Sequence, residues 1–217
     1  MFKEQLYLDA LRLYAGKHVA DRVTELGRAA LGLGSEPRHL TAMYIDIRIE
    51  PEAMQNLPAG QFWANYKTHQ QGVVDSIQKR GGLIDSMSGD AYIALFGVDG
   101  IGNHAVLALS CASDLVHLSN RSKTGITGVV GVNTGQMHLG NFGTPERIKF
   151  TVMGDVLNLA SRLCDRCHEY SVQVLIGGAT LEYAGDAAAP ARAVDSIRIK
   201  GKEDVIDIFT LADVRKT

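Results

Sequence analysis

The sequence predicts an α+β domain built on a ferredoxin-like βαββαβ antiparallel sheet with helices on one face. Three observations support this prediction. Apolar runs with strand-like and with helical spacing follow one another in that order between residues 40 and 132. Gly, Asn and Asp mark the turns between neighbouring strands. The chain has 217 residues with a hydrophobic fraction of 46%, which is enough for a core of ordinary size.

The first 38 residues are predicted to form a short helical segment ahead of the main domain. Leucine and valine recur at three- and four-residue steps over 3–33, which is typical of amphipathic helices, and Gly16 is expected to separate two of them. The stretch GLGSEPRH at 32–39 is expected to be a linker. We therefore interpret 1–38 as a helical segment with its linker, and 39–217 as the main domain.

The main domain opens with a predicted strand, LTAMYIDI, and a predicted helix that begins near AGQFWANYK. The stretch GGLIDSMSGDAYIALFG at 81–97 predicts a β-hairpin, because two apolar runs flank Ser88-Gly89-Asp90. The remaining predicted elements follow in chain order: a helix in NHAVLALSCASDLVHL, two strands in ITGVVGVNTGQMHLGNFG joined through Asn133-Thr134-Gly135, a helix in GDVLNLASRLCDRCHEY, a strand in VQVLIG and a hairpin around Gly201-Lys202.

Composition narrows the classes of function. The net charge is −2 without a long run of either sign, so we expect no nucleic-acid and no membrane-surface partner. No apolar run approaches the roughly 18 residues of a membrane-spanning helix. The N-terminus scatters charges among its apolar residues, which is not the pattern of a secretory signal. We therefore expect a cytoplasmic protein.

Two of the three cysteines stand in CDRCH, which matches a c-type haem attachment pattern. We interpret this match as coincidental. Haem attachment usually requires export, and the pattern lies in a predicted helix whose apolar face reads as core. Cys111 lies in an apolar run and is expected to pack in the core as well.

Asp46 and Asp90 are the first candidate functional residues. Asp46 lies within an apolar strand, where an unpaired carboxylate is unfavourable, and Asp90 lies at the tip of the predicted hairpin. In a βαββ order both strands can be central, so the two carboxylates can meet in an oxygen-rich site suited to Mg²⁺ or Mn²⁺. Two structural alternatives stay open: Asp46 pairs with Arg48 on the same strand face, and Asp90 serves only the turn.

Asn158 and Arg162 form the second candidate pair. They are four residues apart in a predicted helix and therefore share one face. An amide and a guanidinium in this arrangement are suited to hold a phosphate while negative charge builds up on it. A solvent-exposed helix face is the alternative. Asp155, directly after Gly154, is interpreted as a helix cap.

Residues 39–211 resemble the catalytic domain of the class III nucleotidyl cyclases, the adenylyl and guanylyl cyclase family. The resemblance rests on five stretches in order: YIDIR, GGLIDSMSGDAYIALFG, GVNTGQMHLGNFG, RIKFTVMGDVLNLASRL and IRIKGK. It implies a reaction in which the 3′-hydroxyl of a nucleoside triphosphate attacks the α-phosphate, giving a 3′,5′-cyclic nucleotide and pyrophosphate. It also implies two Mg²⁺ or Mn²⁺ ions in each active site.

The resemblance further implies a role for individual residues. Asp46, Asp90 and the carbonyl of Ile47 look like the metal ligands. Asn158 looks like the residue that orients the ribose, and Arg162 like the residue that stabilises the α-phosphate in the transition state. The substrate contacts implied by the resemblance are Lys200 for the triphosphate, Arg147 as a weaker match to a phosphate contact, Ser86 and Thr151 for reading the base, and Tyr44 for lining the base pocket.

A head-to-tail homodimer with two shared active sites is also implied by the resemblance. One chain would supply Asp46 and Asp90. The other chain would supply Tyr44, Ser86, Thr151, Asn158, Arg162 and Lys200. Both sets occur in this one chain, so no heteromeric partner is required. A downstream effector that binds the cyclic nucleotide is expected as a further partner.

The sequence departs from the family at two places. The usual Arg-Gly-Phe-Thr after the first aspartate is replaced by Arg48-Ile49-Glu50-Pro51, and Pro51 removes a backbone donor from a segment that normally faces the phosphates. The position of Ser86 holds neither the lysine of adenylyl cyclases nor the glutamate of guanylyl cyclases. Ser86 and Thr151 are short hydroxyls that donate and accept equally, and Tyr44 replaces a common phenylalanine.

A pocket narrowed by tyrosine and edged with hydroxyls fits a pyrimidine better than a purine. No receptor or sensor domain is evident either, so the chain looks similar to the stand-alone pyrimidine cyclases of bacterial Pycsar antiphage defence. UTP is the favoured substrate and CTP a possible one. The main alternative is an unusual adenylyl cyclase that makes cyclic AMP, because threonine at the position of Thr151 occurs in many bacterial members.

Two further functions were weighed. A catalytically inactive dimerisation or sensing module has no need to retain both aspartates and the three phosphate- and ribose-facing residues. A diguanylate cyclase carries Gly-Gly, an acidic residue, Glu and Phe in its hairpin, whereas this hairpin contains Ser-Gly-Asp-Ala-Tyr. We therefore rank both below an active nucleotidyl cyclase.

Overall fold

The structure, a computed structural model, describes residues 2–55, 57–122, 124–198 and 205–212. These residues divide into two units. The larger unit comprises His39–Gly135 and the described residues from Asp155 onward, and the smaller unit comprises the described residues up to Arg38 together with Gln136–Gly154. The N-terminal segment thus forms a unit with a later stretch of the chain, which the sequence alone did not indicate.

Helices and strands alternate along the described residues, and the predicted α+β class with its βαββαβ order is confirmed. The elements are α1 (Phe2–Ala15), α2 (Lys17–Leu26), a 3-10 turn (Gly27–Leu31), β1 (Gly34–Ile49), α3 (Pro51–Gln55), α4 (Ala59–Lys79), β2 (Leu83–Ser88), β3 (Ala91–Phe96), α5 (His104–Arg121), β4 (Ile126–Thr144), β5 (Arg147–Met153), α6 (Asp155–Arg166), β6 (Val174–Gly177), α7 (Gly178–Ala184), a second 3-10 turn (Gly185–Ala187), β7 (Ala191–Arg198) and β8 (Val205–Leu211). Within the described part of the chain, no helix is both long and apolar enough to cross a membrane.

The strand order of the sheet is β2-β3-β1-β4-β6-β8-β7. β1 and β2 both run antiparallel to β3, whereas β4 and β6 are parallel. The β2–β3 hairpin turns at Gly89, whose φ of 63° lies in the left-handed region that glycine adopts without strain. Since β3 lies between β2 and β1, this turn lies next to the C-terminal end of β1.

The two faces of β1 have different environments. Met43, Ile45 and Ile47 are fully buried in a core that α4 and α5 share. Tyr44 and Asp46 alternate with them on the other face and are only partly buried. Helix α6 packs on the face that carries Tyr44, where its residues Leu159, Leu163 and Cys164 form a second core together with Cys167, which directly follows the helix. The face with the candidate site residues is therefore the face that α6 covers.

The predicted linker at 32–39 is wrong in part, because β1 begins at Gly34. In the smaller unit, the Asn141 side chain donates hydrogen bonds to the carbonyls of Ala30 and Gly32, both at 2.7 Å. Gly140 leaves no room for a side chain, because the backbone of Gly34 lies directly against it. These long-range contacts hold a glycine-rich stretch in extended form, and local composition does not report them.

The predicted break at Asn133-Thr134-Gly135 is also wrong, because β4 continues through it. Asn133 and Thr134 are buried, and the Thr134 hydroxyl lies 2.7 Å from the Thr41 hydroxyl. A tertiary partner therefore satisfies the Thr134 hydroxyl inside the strand, although the residue types of this stretch favour turns when they are exposed. The predicted hairpin around Gly201-Lys202 lies outside the described residues, although β7 and β8 on either side pair antiparallel.

All three cysteines are buried, as the sequence predicted. Burial raises the pKa of the Cys111 and Cys167 thiols to about 12, and it raises the pKa of the Cys164 thiol as well. The Cys164 thiol donates to the carbonyl of Val129 at 3.4 Å. The cysteines of CDRCH thus belong to the interface between α6 and the sheet.

His104, at the start of α5, makes the stability of the fold dependent on pH. Its ring is buried, its Nδ1 lies 2.8 Å from the Thr41 hydroxyl, and it stacks on Tyr183. Burial, and secondly the nearby His39, lower the pKa of His104 to about 4. Histidine in an unfolded chain has a pKa of about 6.5, so the unfolded state binds more protons than the folded state between these two values.

We expect the free energy of unfolding to decrease as the pH falls from about 6.5 to about 4, with His104 contributing up to about 3 kcal/mol. His69, whose pKa is also lowered by burial, acts with the same sign. Urea denaturation at a series of pH values measures this dependence. The His104→Gln variant is expected to show a flatter profile over the same range, and an unchanged profile would contradict the assignment.

Candidate active site

Tyr44 and Ser86 lie on one row of three neighbouring strands. Tyr44 of β1 and Ser86 of β2 both pair with Ile93 of β3, from opposite sides. Directly paired residues in antiparallel strands point to the same face. With strands about 4.8 Å apart, the backbones of Tyr44 and Ser86 are roughly 10 Å apart. These two residues therefore border the same surface.

A β-bulge determines which way Ser86 points. The register of β2 against β3 shifts between Ile84 and Ser86, so Asp85 is one extra residue on β2. Such an extra residue re-aims the side chains that follow it. Without the bulge, Ser86 would lie on the face opposite to Tyr44. The apolar pattern of the sequence gives no signal for this feature.

Asp46 and Asp90 lie at the end of β1 that meets the hairpin turn. Asp46 pairs with Ala91, and the Ile47 N–H donates to the carbonyl of Asp90 at 2.9 Å. Burial raises the pKa of Asp46, the Arg48 guanidinium lowers it, and the charge of Asp90 raises it. These backbone pairings bring Asp46 and Asp90 together at the end of β1, and their joint role as metal ligands stays a prediction.

The donor set at this point fits Mg²⁺ or Mn²⁺. Two carboxylates, Asp46 and Asp90, and the backbone carbonyl of Ile47 are all oxygen ligands, which these hard cations prefer. Burial raises the pKa of the Asp46 carboxyl, and the negative charges of Asp90 and Asp165 raise it further. A divalent cation at this point would lower the pKa. Among the described residues, no group of three or more His, Cys, Asp or Glu side chains forms a complete cage. We therefore expect substrate oxygens to complete the coordination.

The alternative contact of Asp46 is present too. The Arg48 Nε lies 3.3 Å from Asp46 Oδ2, and the two side chains are 37% and 33% exposed. Asp46 thus has an internal cation as its neighbour. A contact of this kind does not distinguish a structural from a functional role by itself.

Two residues near this site were not found from the sequence. The Tyr66 hydroxyl on α4 donates to the carbonyl of Gly89 at 3.4 Å, and its pKa is raised by burial and by the charge of Asp90. Asp165 on α6 raises the pKa of Asp46 and of Tyr44. Asp165 follows Arg162 by three residues, which is the helical spacing that could have indicated it. Tyr66 belongs to the apolar face of its predicted helix, which indicates a core residue and not a site residue.

Tyr44 combines an apolar contact with a hydroxyl beside negative charge. It packs against the second core under α6. Burial raises its pKa, and nearby groups including Asp165, Asp46 and Asp90 raise it further. The hydroxyl therefore keeps its proton at neutral pH and stays able to donate as well as accept a hydrogen bond.

Asn158 and Arg162 lie one turn apart on α6, and both are exposed. Leu159 and Leu163, their neighbours in sequence, are buried against the sheet. The predicted shared face is therefore confirmed, and it points away from the core of its own unit. Their roles toward ribose and phosphate stay predictions.

The smaller unit carries two further predicted residues, Arg147 and Thr151, on β5. They are four residues apart and therefore share a face of this strand. Phe150 lies on the other face, where its ring is 5.1 Å from that of His18 and 4.6 Å from the Arg22 guanidinium. Lys200 lies outside the described residues. The structure thus groups Tyr44, Asp46, Ile47, Ser86 and Asp90 on β1, β2 and the hairpin turn, and Asn158 with Arg162 on one helix.

Comparison with curated proteins identifies related chains. Residues 70–212 match the family model of the adenylate and guanylate cyclase catalytic domain. A terminal-differentiation specific adenylate cyclase from Dictyostelium discoideum is 30% identical over 184 residues, which cover 81% of this chain and 9% of the relative. An adenylate cyclase from Anabaena cylindrica is 30% identical over 188 residues, which cover 79% of this chain and 36% of the relative. The chain thus spans only part of the length of these relatives.

Solved structures agree with this relationship. The adenylyl cyclase CyaB from P. aeruginosa superposes with a TM-score of 0.69 at 25% identity, covering 85% of this chain and 98% of that chain. A bacterial light-regulated adenylyl cyclase has a TM-score of 0.79 at 15% identity, covering 99% of this chain and 63% of that chain, and it supports the fold alone. Tyr44 and Asp46 precede the residues that the family model matches, so their placement depends on the pairing of β1 with β3. By the family match and the Dictyostelium relative, the chain belongs to the class III adenylate and guanylate cyclase catalytic domain family.

Proposed function

We propose that this chain is an active nucleotidyl cyclase that converts a nucleoside triphosphate into a 3′,5′-cyclic nucleotide and pyrophosphate. The observation that carries the proposal is the meeting of Asp46 and Asp90 at the end of β1, fixed by the Ile47–Asp90 backbone hydrogen bond. A member of this family that served only as a binding module would have no need for a half-buried carboxylate at Asp46 with the exposed carboxylate of Asp90 beside it.

In the proposed reaction, the 3′-oxygen forms a bond to the α-phosphorus while the bond to the pyrophosphate oxygen breaks, and the hydroxyl proton passes to solvent. Asp46, Asp90 and the Ile47 carbonyl would hold two Mg²⁺ or Mn²⁺ ions. Such ions lower the pKa of the attacking hydroxyl and stabilise charge on the leaving group. Arg162 donates to the α-phosphate oxygens as charge builds up on them, and Asn158 orients the ribose.

The triphosphate is expected to contact Lys200. Arg147 is a second expected phosphate contact, with a weaker match to the family pattern. Pro51 begins α3 immediately after the strand end, and it offers no backbone N–H to the phosphates. Positively charged side chains therefore contribute more to binding of the triphosphate than they would if every backbone N–H donor were present. The guanidinium and ammonium groups are suited to this, since charge-assisted hydrogen bonds are stronger than neutral ones.

We also propose that two copies form a head-to-tail homodimer with two shared sites. Asn158 and Arg162 are exposed on α6 and point away from their own core, which supports a role toward a second copy. In each site, one copy would supply Asp46 and Asp90. The other copy would supply Tyr44, Ser86, Thr151, Asn158, Arg162 and Lys200.

The proposed substrate is UTP, with CTP as a second pyrimidine substrate. Tyr44 and Ser86 flank Ile93 on one row, which supports their bordering one pocket. Both present hydroxyls, and neither selects a purine edge in the way that a lysine or glutamate would. A cyclic pyrimidine nucleotide would suit a Pycsar-type antiphage signal read by a separate effector. Adenylate cyclase activity is the second candidate, favoured by the names of the Dictyostelium and Anabaena relatives.

Substrate choice is tested by measuring kcat/KM for the four ribonucleoside triphosphates with Mn²⁺ at matched concentrations. We expect UTP to exceed ATP by at least about tenfold. Tyr44→Phe removes one hydroxyl and keeps the ring, so it is expected to reduce the preference for UTP by about fivefold, the worth of one neutral hydrogen bond. Faster cyclisation of ATP by the unaltered protein would overturn the pyrimidine proposal and favour the adenylate cyclase, while the cyclase proposal would stand.

A further inference from the structure

Arg48 occupies a position that the proposed reaction does not explain. It follows Asp46 by two residues on the same face of β1, and its Nε lies 3.3 Å from Asp46 Oδ2. Its side chain is 37% exposed, so the guanidinium can turn away from Asp46 without disturbing the core. A strand places residues i and i+2 side by side, so this contact follows directly from the spacing.

The surroundings of Arg48 are acidic. Asp90 and Asp165 both act on Asp46 as like charges, and Arg48 acts on Asp46 with the opposite sign. Arg48 contacts Asp46 directly, and the charges of Asp90 and Asp165 make the surroundings of this ion pair more negative.

A divalent cation and a guanidinium compete for Asp46. The Arg48 Nε donates to Asp46 Oδ2, which is one of the two oxygens that a metal ion would take. With the metal on Asp46, a positive guanidinium at this distance would repel it, because both carry positive charge in a partly desolvated place. Metal binding therefore favours release of Arg48 from Asp46.

We propose that Arg48 is a positioning residue that acts as a displaceable counter-cation of Asp46. This inference rests on the proposed function, since it requires that Asp46 binds metal. Before binding, Arg48 balances the charge of Asp46 and fixes the orientation of its carboxylate. When a nucleoside triphosphate is present, the phosphates offer the released guanidinium a bidentate anionic partner. Metal ions then bind together with the nucleotide rather than ahead of it.

The direct test is the affinity of the full chain for Mn²⁺ without nucleotide, measured by isothermal titration calorimetry. Arg48→Gln is expected to bind Mn²⁺ about three- to tenfold more tightly than the unaltered protein, because a competing charge is gone. Arg48→Lys keeps the charge and is expected to remain within about twofold of the unaltered protein. Arg80→Gln is the matched control, since Arg80 forms a partly buried ion pair with Asp114, and it is expected to leave the Mn²⁺ affinity unchanged.

A second measurement repeats the titration with 3′-deoxy-UTP, which lacks the attacking hydroxyl. This nucleotide is expected to raise the Mn²⁺ affinity of both proteins. By thermodynamic linkage, the increase in the unaltered protein is expected to be about three- to tenfold larger than the increase in Arg48→Gln. A variant that had merely lost packing would show no such difference. Circular dichroism and urea midpoints verify that each variant is folded.

The outcomes separate this inference from the proposed function. If Asp46→Asn binds Mn²⁺ as well as the unaltered protein does, the metal site itself is wrongly assigned. If Asp46→Asn loses binding while Arg48→Gln binds Mn²⁺ no more tightly than before, the site stands and the role of Arg48 is overturned. Equal tightening in Arg48→Gln and Arg48→Lys would likewise contradict an effect of charge.

Discussion

Replacing Asp46 with asparagine is expected to lower kcat for cyclisation by at least about a thousandfold while the protein stays folded. The amide cannot supply the negative charge that a divalent cation needs at this position. The side chain is nearly the same size, and the neighbouring Met43, Ile45 and Ile47 remain buried on the opposite face. Asp90→Asn is expected to have a similar effect. Steady-state kinetics with Mg²⁺ and with Mn²⁺ measure both losses.

Asp75→Asn is the matched control for these two variants. Asp75 is exposed on α4 and accepts a hydrogen bond from Gln71, which an asparagine oxygen also accepts. We expect its kcat to stay within about twofold of the unaltered protein, as for most surface changes. Near-normal activity of Asp90→Asn with Mg²⁺ would show that the hairpin carboxylate serves only the turn.

Mixing two inactive variants is expected to restore activity. Asp46→Asn lacks the proposed metal site but keeps Arg162. Arg162→Ala lacks Arg162 but keeps the proposed metal site. In a head-to-tail dimer of one copy of each, one site contains both defects and the other contains none. With free exchange of subunits, an equal mixture has half of its dimers mixed, each with one of two sites intact. The mixture is therefore expected to reach about a quarter of the unaltered activity.

The controls for this experiment address exchange and specificity. Subunit exchange is followed by energy transfer between differently labelled copies. Asp46 and Asp90 belong to the same half-site. In a mixture of Asp46→Asn with Asp90→Asn, each site therefore carries one of the two defects, and no recovery is expected. Absence of recovery in the first mixture, with exchange demonstrated, would contradict a shared site.

Much of the site was accessible from the sequence because it depends on local spacing. The two-residue period of a strand places Tyr44, Asp46 and Arg48 on one face, and the four-residue step of a helix does the same for Asn158 and Arg162. The hairpin was predicted from apolar runs around Gly89, where the positive φ requires a residue such as glycine. These features are encoded within a few residues of one another.

Features that depend on distant contacts were not accessible in this way. The bulge at Asp85 reverses the direction of every side chain after it, yet one inserted residue leaves the apolar composition of the strand unchanged. The stretch at 34–39 has the composition of a loop. Just before it, the carbonyls of Ala30 and Gly32 accept from Asn141, which is more than a hundred residues away in sequence. Asn133 and Thr134 favour turns in isolation but are buried in β4.

The pairing of Asp46 with Arg48 shows a different kind of limit. The sequence allowed two roles for Asp46, an ion pair and a metal ligand, as though one excluded the other. The structure contains the ion pair at the same end of β1 where Asp90 lies. The spacing of Asp46 and Arg48 indicates only that their side chains can touch. Whether Asp46 pairs with Arg48 or with a metal ion depends on the nearby charges and on which ligand is bound.

The most direct test of the central claim is the identity and stoichiometry of the product made by the purified chain. With Mn²⁺ and each of the four ribonucleoside triphosphates, mass spectrometry and a pyrophosphate assay follow the reaction. We expect a 3′,5′-cyclic nucleotide and one pyrophosphate for each molecule of it, from UTP above all, and no product from Asp46→Asn. Absence of a cyclic product from all four triphosphates, or equal product from the Asp46→Asn variant, would contradict cyclisation at this site.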